Sequence, residues 1–159
     1  AGPDGSVERE TISRELVDHA RFNAFAAVDA CLQGDTHKAL RILKVLRNEG
    51  TEAVIVSWTF AREVRTLVRL DHGLRSGKSQ AQLFKTHRIW STRAPLVKTA
   101  LSRLSASGVE KIIQQMARCD RVLKGRAAGD IWRELDALVL MMCGVRHAAE
   151  DREAVHGRS

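Results

Sequence analysis

The chain is poor in the residues that interrupt helices or mark β-hairpins. Only 2 of its 159 residues are proline, aromatic residues make up 4%, and tyrosine is absent. No stretch alternates apolar and polar residues between turn-forming dipeptides, as the strands of a half-buried sheet do. Apolar residues recur instead at three- and four-residue spacing. These features predict an all-α fold, a bundle of about six to seven helices.

Long apolar runs and paired cysteines are also missing from the sequence. The longest apolar run, 137–143, has seven residues, whereas a membrane-spanning helix needs about 20. The 3 cysteines are odd in number and widely spaced, which does not suggest a disulfide framework. We therefore expect no membrane contact, a cytoplasmic location, and buried, unreactive thiols.

Capping residues divide the helical pattern into segments. Residues 1–6 resemble a cloning remnant and residues 146–159 a polar tail, so neither segment is expected to belong to the fold. A short helix is predicted over 8–19, and a separate helix runs from Asn23 to Gly34. Pro95 suits the first turn of a later helix. Five side chains are expected to cap helices: Asn23, Asp35, Ser79, Ser107 and Asp130.

Positive charge is concentrated in one part of the chain. Residues 80–126 contain ten Lys or Arg and two acidic residues. Such a segment suits a solvated helix surface, a polyanion or an acidic protein partner, and composition does not choose among them. Stacking on bases is not expected, because the tryptophans Trp58, Trp90 and Trp132 lie on apolar helix faces typical of a core. The candidate polyanion contacts are Lys85, Lys98, Arg103, Lys111, Arg118 and Arg121.

No combination of residues typical of catalysis is evident in the sequence. Residues 73–79 resemble a phosphate-binding loop, but only three residues separate the glycines where that loop needs four. The histidines form no i, i+4 pair and the cysteines no C-x-x-C motif, so we expect neither a metal nor a cofactor. Glu134 and Asp136 lie on different faces of one helix and cannot share a proton. The sequence therefore favours a protein that is not an enzyme.

Several short segments, taken in order, are similar to one protein family. Each segment is only moderately specific, but their order and spacing cover nearly the whole chain after residue 6. The sequence resembles the C-terminal part of the delta-subunit family of bacterial DNA polymerase III, a clamp-loader component. Ala53 departs from the family pattern, which often has proline there. The segments are Phe22-Asn-Ala-Phe25, Ala39-Leu-Arg-Ile-Leu43, Trp58 with Ala61-Arg-Glu63, His87-Arg-Ile-Trp90 and Trp132-Arg-Glu-Leu135.

The resemblance implies that the chain is part of a larger subunit. Residues 7–21 would end a lid domain, and residues 22–145 would form a helical collar domain. The collar would hold the subunit in a pentameric clamp loader with gamma or tau and delta prime subunits. The family's contact with the sliding clamp lies in an N-terminal domain outside this chain, and contact with DNA would be indirect. The candidate interface residues near the matching segments are Arg62, Arg88, Trp90 and Arg93.

A basic helical module that binds DNA directly is the alternative function. It rests on the positive charges of residues 80–126 and predicts an affinity that falls steeply with salt. No helix-turn-helix is evident, because no short turn precedes a helix polar enough to lie in a groove.

Overall fold

The computed structural model describes residues 4–145, apart from the side chain of Asp4. Within these residues the regular secondary structure consists of α-helices joined by turns and loops, without strands. The predicted all-α bundle is therefore confirmed. The predicted tail, 146–159, lies outside the described residues. The helices are α1 (Asp4–Gln33), α2 (Thr36–Asn48), α3 (Ala53–Arg75), α4 (Gln80–Thr86), α5 (Ala94–Arg103), α6 (Ala106–Leu123) and α7 (Ile131–Met142).

The first helix is continuous, so the prediction of two helices divided near Asn23 was wrong. The Asn23 side chain does not cap a new helix; its Nδ2 donates to the carbonyl oxygen of His19, 3.1 Å away. No proline or glycine follows Gly5 before Gly34, so no residue type that breaks a helix interrupts the backbone hydrogen bonds. Residues 4–6, set aside as a cloning remnant, are also part of this helix.

The second half of α1 lies at the centre of the bundle. Its buried residues Ala24, Ala27, Val28 and Cys31 recur at the spacing of one helix face. They pack against α2, α3, α5 and α7. The residues of α1 from Gly5 to Leu16 are all exposed, so only the second half of this helix contributes to the core.

Local capping was predicted correctly for three helices. The side chains of Asp35, Ser79 and Asp130 accept hydrogen bonds from backbone N–H groups in the first turns of α2, α4 and α7. The prediction for α6 was wrong by two residues. Ser105 Oγ, not that of Ser107, accepts from the backbone nitrogen of Gly108 at 3.0 Å.

The expected burial of the aromatic residues was only partly right. Phe60 and Phe84 are buried in the core. By contrast, Trp58, Trp90 and Phe22 are 63%, 70% and 74% exposed. Periodicity placed Trp58 on a helix, but it did not show which side of that helix faces the core. Trp90 lies between α4 and α5 and not on a helix. Among the described residues, no helix is both long and apolar enough to cross a membrane.

Candidate interaction surfaces

An open apolar groove runs between α3 and α6. Its volume is about 540 Å³. Val64 and Val68 contribute from α3, and Met116 and Leu123 contribute from α6. Trp58 on α3 also lines the groove and is exposed. Large apolar side chains open to solvent at a groove of this kind are typical of a surface that contacts another molecule.

The α3 side of the groove is basic. Arg65 and Arg69 line it one helical turn apart. A second depression of about 410 Å³ begins at Val68 and Arg69 and continues to His72, Lys78 and His87. On the α6 side, Asp120 also lines the groove, and its carboxylate is paired with the ammonium group of Lys124 at 3.0 Å. Positive charge therefore predominates along the two depressions.

This groove was not predicted from the sequence. Its signal was present: Trp58, Arg65 and Arg69 follow at intervals of seven and four residues, which places them along one face of α3. Because the apolar residues of α3 were all assigned to the core, the outward position of Trp58 was missed. Ile113, which lines the opposite wall from α6, is 39% exposed.

A second exposed surface is the turn between α4 and α5. Trp90 and Arg88 are exposed there, and Arg88 has a positive φ of 55°, which is uncommon for a residue with a side chain. The carbonyl oxygen of Trp90 accepts from the backbone nitrogens of Arg93 and Ala94, both at 2.9 Å. These bonds fix the backbone that presents the indole.

Arg93 joins this turn to the rest of the bundle. Its Nη2 lies 3.1 Å from Asp29 Oδ1 on α1 and 2.9 Å from Glu63 Oε2 on α3. The distances fit ion pairs, while Nη2 and Asp29 Oδ1 make no well-directed hydrogen bond. The contact is therefore mainly electrostatic. Of the four predicted interface residues, Arg62, Arg88 and Trp90 are exposed, and Arg93 holds the turn in place.

The structure divides the predicted polyanion contacts into two groups. Arg103 Nη2 donates to the carbonyl oxygens of Cys31 and Met142, both at 3.0 Å. Arg118 pairs with Glu134 at 3.0 Å. These two guanidinium groups therefore have partners inside the bundle. The remaining predicted contacts are exposed at the surface: Lys85, Lys98, Lys111 and Arg121.

The three thiols are buried, as the sequence predicted. A hydrogen bond with Cys31 lowers the pKa of Cys143 to about 7, and the same bond raises the pKa of Cys31. Burial raises the pKa of Cys119 to about 11. Within residues 4–145, no group of three or more His, Cys, Asp or Glu side chains is arranged to hold a metal ion.

Comparison with known families decides what kind of domain carries these surfaces. Residues 24–149 match the family model described as "Processivity clamp loader gamma complex DNA pol III C-term". The chain belongs to this family. The match starts at Ala24, a buried residue in the second half of α1. The predicted boundary between residues 21 and 22 lies inside α1 and stays a prediction.

The relatives of this clamp-loader domain are delta subunits. The chain is 36% identical over 141 residues to DNA polymerase III subunit delta of Escherichia coli. It is 30% identical over 149 residues to the subunit of the same name in Haemophilus influenzae. Each comparison covers 89% of the chain, but only 41% and 43% of the respective relatives. The resemblance to the C-terminal part of the delta subunit is therefore confirmed.

Proposed function

We propose that this delta C-terminal domain is a collar that holds its subunit in a pentameric clamp loader. The single observation that carries the proposal is the family match over residues 24–149. The all-helical bundle agrees with an assembly role, because an exposed tryptophan such as Trp90 is a feature of contact surfaces. Its role in the cell would then be DNA replication in the cytoplasm.

The proposed neighbours in the ring are gamma or tau and delta prime subunits. The domain itself would be non-catalytic, contributing assembly to the DNA polymerase III holoenzyme. Contact with the sliding clamp would belong to the region of the relatives that this chain does not match, since it covers about two fifths of their length. Contact with DNA would be indirect.

Exposed residues on α3 and the α4–α5 turn are the proposed contacts with ring neighbours. Arg62, Arg88 and Trp90 are exposed, and an exposed arginine or tryptophan can become a major contributor when a partner covers it. Arg93 would act by positioning the turn, because both of its ion pairs are made within the domain.

Mixing the chain with purified gamma or tau and delta prime subunits tests this function. Size-exclusion chromatography with light scattering, at low salt and at ~0.5 M salt where screening is strong, would measure the mass of the complex. We expect a stoichiometric complex that resists salt. Trp90→Ala should weaken it without unfolding the domain, and Lys38→Ala, at an exposed site on α2, serves as the matched control.

Direct DNA binding is the second candidate function. The observation that favours it is the exposure of Lys85, Arg88, Lys98 and Arg121, which could neutralise phosphates. If the chain forms no complex with the loader subunits but binds duplex DNA with an affinity that falls steeply with salt, the collar proposal fails and this alternative replaces it.

A further inference from the structure

The groove between α3 and α6 has the lining of a helix-binding site. Two packed helices form its walls, and Val64, Val68 and Met116 contribute apolar surface between them. An amphipathic helix binds in such a groove by inserting side chains spaced three and four residues apart. Trp58 and Ile113 already lie exposed on opposite walls, where they would be covered by a bound helix.

The charges around the groove favour an acidic occupant. Arg65, Arg69 and Lys78 line the two joined depressions, and Asp120 is the carboxylate that lines them within the described residues. Lys124 already pairs with Asp120, so this carboxylate does little to offset the three cations. A helix with carboxylates beside its apolar face would complement this arrangement.

A nucleic acid fits the groove less well than a peptide. Phosphates are bound by cations and hydrogen-bond donors. The lining of the α3–α6 groove includes the apolar side chains of Val64, Val68, Met116 and Leu123. The cations lie along one side, where they would flank an inserted apolar side chain. A small ligand would be mostly enclosed by its site, but this groove is open enough to leave Trp58 63% exposed.

We propose that the α3–α6 groove binds an amphipathic helix of a protein partner, with apolar residues inserted between the helices and acidic residues beside Arg65, Arg69 and Lys78. This docking site is separate from the α4–α5 turn, where Trp90 is placed. It does not depend on the proposed position of the domain in a ring.

A pair of synthetic peptides tests the proposal directly. Both are about four helical turns long with leucines on one face; one carries glutamates beside that face and the other carries lysines. Fluorescence anisotropy of the labelled peptides measures their affinity. The NMR signal of the Trp58 indole N–H, assigned with the Trp58→Phe variant, shows whether the peptide binds at the groove. We expect the glutamate peptide to bind at least about tenfold more tightly and to shift the Trp58 signal.

Variants separate the apolar contribution from the charge contribution. Trp58→Ala should lower the affinity for the glutamate peptide about tenfold. The double variant Arg65→Glu with Arg69→Glu should reverse the preference in favour of the lysine peptide. Lys44→Glu, an exposed change on α2 outside the groove, should leave both affinities unchanged. Circular dichroism of every variant confirms that the helical fold is retained.

Three results would overturn the proposal. One is the absence of saturable binding by the glutamate peptide, and another is equal binding of both peptides. The third is displacement of the glutamate peptide by duplex DNA with loss of DNA binding in the Arg65→Glu, Arg69→Glu variant, which would make the groove a nucleic-acid surface.

Discussion

At the residue scale, Arg103 joins the ends of two helices that are far from it in the sequence. Its guanidinium donates to backbone carbonyl oxygens of Cys31, Leu32 and Met142. These carbonyls lie at the C-terminal ends of α1 and α7, where the last carbonyl oxygens of a helix lack internal N–H donors and favour a positive charge. An arginine in a basic segment thus has a structural role that its sequence neighbours do not reveal.

Arg103→Ala should lower the free energy of unfolding by about 2–4 kcal/mol, because the carbonyls of two helix ends lose a charged donor. Lys98→Ala on the same helix, at an exposed position, should change it by less than about 0.5 kcal/mol. Urea denaturation followed by circular dichroism measures both. Equal effects of the two substitutions would contradict the role assigned to the guanidinium.

The Cys143 thiol makes the stability of the domain depend on pH. Its pKa is lowered from 9.0 to about 7 by the hydrogen bond with Cys31. The unfolded chain therefore binds an extra proton between these values, and the free energy of unfolding should rise as the pH rises from 7 to 9. The raised pKa of Cys31 opposes this trend only above its ordinary value of 9.0.

Ultraviolet absorbance of the thiolate measures this titration. We expect a midpoint near pH 7 that disappears in Cys143→Ala and moves upward in Cys31→Ala, since the hydrogen bond is then lost. Cys119→Ala is the control and should leave the midpoint in place. A midpoint that survives the removal of the Cys143 thiol would show that another group titrates.

At the scale of single helices, two serines near the start of α6, Ser105 and Ser107, are candidates for its cap. Ser105 Oγ accepts from the nitrogen of Gly108, while Ser107 Oγ lies 3.1 Å from Ser105 Oγ. Ser105→Ala should therefore destabilise the domain by about 1 kcal/mol. Ser107→Ala should cost less than about 0.5 kcal/mol. Thermal unfolding of the two variants compares their stabilities. A larger destabilisation by Ser107→Ala than by Ser105→Ala would favour Ser107, the cap predicted from the sequence.

The packing of α4 on α3 depends on the small size of Gly73. A Cβ at this position would lie 2.6 Å from Leu83 Cδ2, a distance that forces the leucine to move. Gly73→Ala should therefore cost about 1–2 kcal/mol of unfolding free energy, even though alanine is the better helix former. Gly5→Ala, at a helical glycine with nothing within 4 Å, is the control and should not destabilise.

A double-mutant cycle tests whether the contact itself is responsible. Leu83→Ala alone should leave a cavity and destabilise the domain. In the Gly73→Ala, Leu83→Ala variant the new methyl group no longer meets the leucine side chain. The decrease in the free energy of unfolding should therefore be smaller than the sum of the decreases in the two single variants. Strict additivity in urea denaturation would indicate that Gly73 acts through the backbone alone.

The structural features that depend on residues close in the sequence, such as helix caps, were predicted well. The caps at Asp35, Ser79 and Asp130 depend on residues two or three positions away. The continuity of α1 was missed because Asn23 can serve either as a cap or as an interior residue, and only packing of the helix on four neighbours decides between them.

At the scale of the whole molecule, long-range contacts decided which side chains are available to a partner. Arg93 and Arg103 belong to the basic segment, yet their partners are on distant helices. Trp58 follows the apolar period of α3 but lies outside the core, because α6 leaves one side of α3 uncovered. Sequence patterns give the helix on which a residue lies, whereas the arrangement of helices gives its exposure.

A competition measurement tests the central claim, that this domain holds a delta subunit in the clamp loader. Labelled full-length delta is first assembled with gamma or tau and delta prime, and an excess of this chain is then added. Light scattering with detection of the label follows the delta subunit. We expect the chain to replace full-length delta in the complex. Retention of the label in the loader, at concentrations of the folded chain far above that of delta, would contradict it.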